Sequence, residues 1–249
     1  MCLLALFFRA FEDSPVVVGA NREESYARGG ELPRILDGPC PALAGIDPQA
    51  GGTWLGVNER GVLVAVTNRP KSRLPAQARS RGLLARDLLG AASAAGAGEL
   101  ASRELDRNRY AGCNVLCVDR DYAIVVHAGD WLRVRPLPPG LHILTAHDVN
   151  DASDPRIGHA FSWLGQRSCQ SGEQCVAALK ELCGQTDNAN PPICLRGKEG
   201  GTVSSSIVMM SSTVTRSKYV HAQGPPDETP YADYSHLLQQ MLSNPAKRA

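Results

Sequence analysis

A chain of 249 residues is long for one domain and short for two, and it carries 26 Lys+Arg against 25 Asp+Glu, a formal net charge of +1. That balance excludes a cationic nucleic-acid footprint and a polyacidic tail, while a hydrophobic content of 43% argues against disorder as the main state. Aromatics are 5%, so a core must be built from Val, Leu, Ile and Ala; at this length it needs no disulfide staples. The apolar run at 2–8 stops at Arg9 and has no basic residues before it, which is too short and wrongly flanked for a signal peptide or a membrane span. Position 2 is not Gly, so the myristoylation pattern fails. No later stretch approaches ~18 uninterrupted apolar residues. These features predict a cytoplasmic protein with reduced thiols, no transmembrane segment and no nucleic-acid partner.

In chain order, apolar runs at 2–11 and 15–22 read as two strands broken by Glu12-Asp13-Ser14. Runs at 53–57 and 62–68 flank Asn58-Glu59-Arg60-Gly61, a Gly-ended hairpin loop. Ser80 begins a helix carrying Leu83, Leu84, Leu88 and Leu89, and 99–105 makes a second, shorter one. Runs at 113–118 and 122–128 flank Asp119-Arg120-Asp121 as a third hairpin, followed by strands at 131–134 and 141–145. Asp154-Pro155 is an N-cap with Pro at the first helical position, ahead of Ile157, Ala160, Phe161 and Leu164. Ser171 and Gln174 fit a capping box before Cys175, Val176, Leu179, Leu182 and Cys183. Strands follow at 202–210 and 218–222, and Thr229-Pro230 starts a last helix with Leu237, Leu238 and Met241 on one face. Without an internal repeat or linker, 1–249 reads as a single α+β layered domain.

The eight cysteines include no C-x-x-C pair, so the common zinc and redox spacings are missing. Cys113 and Cys117 share a strand face roughly 13 Å apart, too far for a disulfide or a chelate. Cys175 and Cys183 fall on the apolar stripe of a helix, so these four read as small buried hydrophobes. Cys40-Pro41 lies in a Gly/Pro-rich loop; its thiolate is either a haem-iron ligand or an ordinary loop thiol.

Cys2 differs by position. A small second residue permits removal of the initiator Met, and the mature chain would then begin with a thiol and a free α-amine on one residue. The α-amine has an ordinary pKa near ~8, low enough to act as base at neutral pH. One residue thus supplies nucleophile and base. A hairpin of this length also returns Gly19-Ala20-Asn21-Arg22-Glu23-Glu24 to the neighbourhood of Cys2, where a cation lowers a thiol pKa and a carboxylate orients an amine.

Taken together, Met1-Cys2, the run from Gly19 to Glu24, GTWLGVNERGV from Gly52 and VTNRP from Val66 resemble the NRDE-motif family, also called transport and Golgi organisation 2. The eponymous tetrapeptide reads Asn21-Arg22-Glu23-Glu24, and the likeness is close over 1–72 and looser beyond. The layout is also similar to the bile-salt hydrolase and penicillin acylase relatives of the N-terminal-nucleophile hydrolases. The resemblance implies a four-layer αββα sandwich, N-terminal-nucleophile hydrolase-like. It implies Cys2 as nucleophile and, through its amine, base, framed by Arg22 and one of Glu23 or Glu24. It implies Asn68 as an oxyanion donor. Two positions depart from the hydrolase pattern: Thr145-Ala146-His147-Asp148 stands where those relatives carry a second Asn, and Val203 stands where they carry an Arg. His147 is the candidate replacement donor, and Asn21 joins it as a substrate-side residue.

Two functions follow from the resemblance. One is attack by the Cys2 thiolate on an amide or thioester carbonyl of a small acyl ligand, with no cofactor required. The other is a non-hydrolytic carrier for a hydrophobic ligand, haem or an acyl-CoA or lipid, with haem as cargo and Cys40 or a His as its ligand.

Overall fold

A computed structural model describes residues 2–38, 40–186 and 191–243. In chain order the strands are β1 (Leu3–Phe8), β2 (Val16–Ser25), β3 (Glu31–Leu36), β4 (Ala42–Ile46), β5 (Leu55–Asn58), β6 (Leu63–Asn68), β7 (Cys113–Val118), β8 (Ala123–Ala128), β9 (Leu132–Pro136), β10 (Gly140–Leu144), β11 (Gly200–Met210), β12 (Lys218–Ala222) and β13 (Ala232–Asp233). The helices are α1 (Arg81–Leu88), α2 (Ala94–Asp106), α3 (Pro155–Gln166), α4 (Gly172–Cys183) and α5 (Ser235–Ser243). The chain divides into two compact units, Met1–Gly29 with Pro139–Gln239, and Gly30–Pro138 with Gln240–Ala249.

The first unit holds a six-stranded antiparallel sheet in the order β10-β1-β2-β11-β12-β13. Strand side chains alternate between faces, and the two faces differ in what they meet. Leu3, Ala5, Phe7, Val17, Ile207 and Met209 pack on α3 and α4 through Ile157, Ala160, Leu164, Cys175, Leu179 and Leu182. At about 1.5–3 kcal/mol for each large aliphatic side chain removed from water, this layer dominates the stability of the unit. The caps set where the helices start: the Asp154 carboxylate accepts from Arg156 N–H at 2.9 Å and the Ser171 hydroxyl from Gln174 N–H at 3.3 Å. The Gln174 side chain accepts from Gln170 N–H at 2.8 Å rather than from the cap residue itself.

The second unit holds a seven-stranded antiparallel sheet in strict chain order from β3 to β9. Its core joins Val62, Val64, Cys113, Val115, Cys117, Ile124 and Val126 to Leu84, Leu88, Ala97, Ala101 and Leu105 of α1 and α2. Gly98 lets α2 approach closely, because a Cβ there would stand 2.8 Å from the Ile124 side chain. The β5–β6 hairpin is closed as expected: Asn58 Oδ1 accepts from Arg60 and Val62 N–H at 3.0 and 2.9 Å, and Gly61 takes φ +78°.

Three expectations are corrected. No helix starts at Thr229-Pro230; Ala232 and Asp233 pair with β12, and α5 begins at Ser235, whose N–H bonds the Asp233 carboxylate at 2.7 Å. The second helix starts at Ala94, well before 99, because the Ser93 hydroxyl caps it by accepting from Gly96 N–H at 3.2 Å. β3 and β4 occupy a Gly/Pro-rich stretch that carried no strand expectation. Among the described residues, no helix is long and apolar enough to cross a membrane.

Candidate active site

The β1–β2 register places Leu3 opposite Asn21, so the next antiparallel position sets Cys2 opposite Arg22. Directly opposed residues share a face. Leu3 and Asn21 lie on the face that carries α3 and α4, and Cys2 and Arg22 lie on the other. The row extends one strand further, because Ser204 of β11 is opposite Arg22. Cys2, Arg22 and Ser204 therefore stand side by side across three strands of the first unit. The Cys2 sulfur, partly buried, accepts from the Glu23 backbone N–H at 3.5 Å. Arg22 is 6% exposed and its Nη1 donates to Gly29 O at 3.2 Å.

The alternation splits the tetrapeptide. Asn21 points to the helix side, where its amide nitrogen donates to Cys183 O at 2.9 Å and Ile193 O at 3.2 Å. Cys183 is the last residue of α4 and Ile193 lies further along the chain, so Asn21 ties the end of α4 and Ile193 to the sheet. Glu23 also points to the helix side. Its carboxylate meets Arg156 of α3 through Nη2 at 2.5 Å and Nη1 at 3.4 Å, with side chains 2% and 10% exposed. Arg156 Nη2 also donates to Ile193 O at 3.1 Å. Glu24 sits at the half-exposed end of β2, accepts from Ser25 N–H at 3.0 Å and pairs with Arg28 at 3.5 Å. Of the two candidate carboxylates, Glu23 is thus the buried one beside Cys2.

The remaining candidates are spread out. Asn68 ends β6 in the second unit, half-buried and opposite Cys113. The residue after it is fastened there: Arg69 N–H donates to Gly112 O at 3.0 Å and its guanidinium to Asn114 Oδ1 at 3.2 Å. His147 lies just past β10 with an exposed side chain, and its N–H meets the Thr145 hydroxyl at 3.4 Å. Cys40, in the second unit, lines a cavity of about 390 Å³ with Leu36, Asp37, Arg86, Asp87 and Leu89. Among the described residues, no group of three His, Cys, Asp or Glu side chains is placed to hold a metal ion.

Three features went unread in the sequence. Arg156 is the first; its signal was a cation in the first turn of a helix, against the positive end of the dipole, which calls for a compensating anion. Ser204 is the second: its hydroxyl is buried and meets no hydrogen-bond partner among the described residues. A β-bulge at Val203 produces it, since Thr202 is opposite Glu23 and Ser204 opposite Arg22. The third is a buried chain on the Cys2 face, where the Ser206 hydroxyl meets His221 Nδ1 at 2.8 Å and His221 Nε2 meets Gln223 Oε1 at 2.8 Å. With Gln223 Oε1 accepting, the ring proton sits on Nε2 and Nδ1 accepts from Ser206. Burial holds the His221 pKa below its usual value, and the Arg22 cation adds to that depression.

Burial pushes the Cys2 thiol above its ordinary pKa and the Glu23 carboxylate raises it further, against the opposing pull of the Glu23 N–H and the Arg22 cation. A thiol in this setting is protonated at neutral pH and needs a base to become a nucleophile.

The sequence profile of the family described as transport and Golgi organisation 2 matches residues 1–220. The human transport and Golgi organization protein 2 homolog (Homo sapiens) is 38% identical over 94 residues, 34% of this chain and 33% of that protein. The aligned stretch thus spans about a third of the curated relatives' length. Among solved structures, the chain is similar to a Caenorhabditis elegans N-acylethanolamine-hydrolyzing acid amidase ortholog at 13% identity and a TM-score of 0.58, covering 83% of this chain and 92% of that one. It is also similar to penicillin V acylase from Agrobacterium tumefaciens at 13% identity and a TM-score of 0.55, covering 95% of this chain and 88% of that one. These likenesses establish the fold as an α+β sandwich, N-terminal-nucleophile hydrolase-like. With the profile match covering most of its length, the chain belongs to the transport and Golgi organisation 2 family.

Proposed function

We propose that this protein is an N-terminal-cysteine acyl hydrolase acting on amide or thioester bonds of a small-molecule acyl ligand, with Cys2 exposed as the first residue by removal of Met1. The observation that carries this reading is the placement of the Cys2 sulfur against the Glu23 N–H with Arg22 alongside on the same sheet face. Two solved structures of similar fold are an N-acylethanolamine-hydrolyzing acid amidase ortholog and a penicillin V acylase, which favours the same class. In this reading the Cys2 α-amine takes the thiol proton as the sulfur attacks the carbonyl carbon. The tetrahedral intermediate collapses as the ammonium returns that proton to the departing amine or thiol, which leaves an acyl group on sulfur. Water, activated by the same amine, then cleaves the thioester and restores the thiol. Asn68 is the oxyanion donor, a role that rests on the sequence match at Asn68-Arg69-Pro70. Turnover of a panel of N-acyl amides and acyl thioesters tests the proposal: it requires activity that Cys2→Ala abolishes, and full activity in Cys2→Ala refutes it.

A second reading has one observation in its favour, the cavity of about 390 Å³ lined by Cys40, which falls in the size range of small-ligand pockets. In it the protein carries haem or another hydrophobic ligand without hydrolysing it. Titration with haem decides it: a Soret shift lost in Cys40→Ala supports it, and an unchanged spectrum at micromolar haem rejects it.

A further inference from the structure

We infer that Arg156 is a positioning residue of the Cys2 site: from the first turn of α3 it grips the Glu23 carboxylate, and so fixes both the Glu23 N–H that reaches the Cys2 sulfur and the net charge beside that sulfur. The inference deepens the acyl-hydrolase reading, since it matters for catalysis only if Cys2 is the nucleophile.

Helix stability does not explain Arg156. It occupies the second position of α3, after Pro155, where the helix dipole disfavours a cation by about 0.3–1 kcal/mol. Solubility does not explain it either, because the residue is 8% exposed. What the position offers is reach. Asp154 caps the helix, with Oδ1 on Arg156 N–H at 2.9 Å and Oδ2 taking the Thr145 hydroxyl at 2.6 Å. Thr145 follows β10 directly, and β10 pairs with β1, the strand that Cys2 leads into. The helix start is thereby tied to the sheet close to the nucleophile, and the guanidinium spans from there to Glu23 and Ile193 O.

The charges around the pair define its effect. Arg22 and Glu23 act on the Cys2 sulfur from β2. At the start of α3 the Asp154 carboxylate is taken up by the Arg156 backbone N–H and the Thr145 hydroxyl, and His159, one turn along, is engaged with Gln185 Oε1 at 2.6 Å. The Cys183 thiol near Arg156 is pushed up to about 12 by burial and stays uncharged. Glu23 alone would place an uncompensated negative charge beside a buried thiol and its neighbouring amine. Arg156 is the counter-charge paired to that carboxylate and keeps it in place, and Glu23 still raises the Cys2 thiol with Arg156 present. Without Arg156 both groups at Cys2 hold their protons to higher pH, and with Arg156 but without the Glu23 charge they release them sooner.

The test is the pH dependence of Cys2 alkylation by iodoacetamide in the intact protein, read as adduct mass localised to Cys2. It needs no substrate. The expected order of midpoints is Arg156→Met above wild type and Glu23→Gln below it, each by about one pH unit for a neighbouring charge. Arg156→Lys, which keeps the cation, returns the midpoint close to wild type. A purely structural role would lower the folded fraction without moving the midpoint of what remains folded. If Arg156→Met does not fold, the Glu23→Gln and Arg156→Lys midpoints decide. Coincident midpoints across the folded variants overturn the inference. The expected order without acyl turnover would uphold it and refute the hydrolase reading instead.

Discussion

Replacing Glu23 by Gln leaves the Arg156 guanidinium buried against a neutral amide. Replacing Arg156 by Met leaves the Glu23 carboxylate buried against a thioether. For a surface pair either change would cost 0–1 kcal/mol. This pair is not at the surface: its side chains are 2% and 10% exposed, with two nitrogen–oxygen contacts at 2.5 and 3.4 Å. Breaking a buried pair from one side costs about 3–5 kcal/mol, because the remaining charge stays desolvated. Glu23→Gln should fall near the lower end, since the amide oxygen still accepts one bond and the Ile193 O contact survives. Arg156→Met loses both contacts and the Ile193 bond, and should fall near the upper end. The double variant removes both charges and should be less destabilised than the summed singles by about 2–3 kcal/mol. Urea unfolding at pH 7 with linear extrapolation measures all four corners of the cycle. Single-variant losses below about 1 kcal/mol with an additive double variant would refute the placement of this pair as a buried anchor.

Three further outcomes follow from the same geometry. Ser204→Ala removes a buried hydroxyl without a partner among the described residues, so calorimetry of the unliganded protein should show unchanged or higher stability by up to about 1 kcal/mol; a loss above 1 kcal/mol contradicts it. Burial pushes the thiols of Cys113, Cys117 and Cys183 up to about 12. Their folded pKa values lie above the unfolded ones, so their contribution is intact below about pH 9 and is lost as pH rises toward 12, at up to about 1.4 kcal/mol per pH unit for each. Urea midpoints that stay level from pH 8 to 11 would contradict that. His221 shifts the other way, depressed by burial first and by Arg22 in addition; its contribution is present above about pH 6.5 and lost on acidification. His221→Asn should flatten the acid limb of the stability curve, and an unchanged limb contradicts this.

The sequence was most informative where local chemistry decides local structure. The hairpin at Asn58–Gly61 and the helix starts at Ser80, Asp154 and Ser171 depend on side chains bonding backbone within a few residues, and each stands where the residues predicted. The β1–β2 hairpin, read from two apolar runs, does bring Arg22 opposite Cys2. Features set by distant pairing were not legible. β3 and β4 are strands because they extend the seven-stranded sheet, although their stretch is rich in Gly and Pro. Ala232 and Asp233, just past the helix-start signal at Thr229-Pro230, are drawn into pairing by β12. The face on which each residue of Asn21-Arg22-Glu23-Glu24 lies follows from strand alternation, and that could have been read. The partner of Glu23, 133 residues later on α3, could not.

The proposed chemistry requires Cys2 to be a processed, acylable N-terminus, and intact mass of the purified protein after exposure to an activated acyl donor tests that directly. The predicted result is a chain lacking Met1 that gains one acyl group at Cys2, an adduct absent in Cys2→Ala and lost again with time in water as the thioester hydrolyses. A chain that retains Met1 and gains no acyl group at Cys2 contradicts a Cys2 nucleophile.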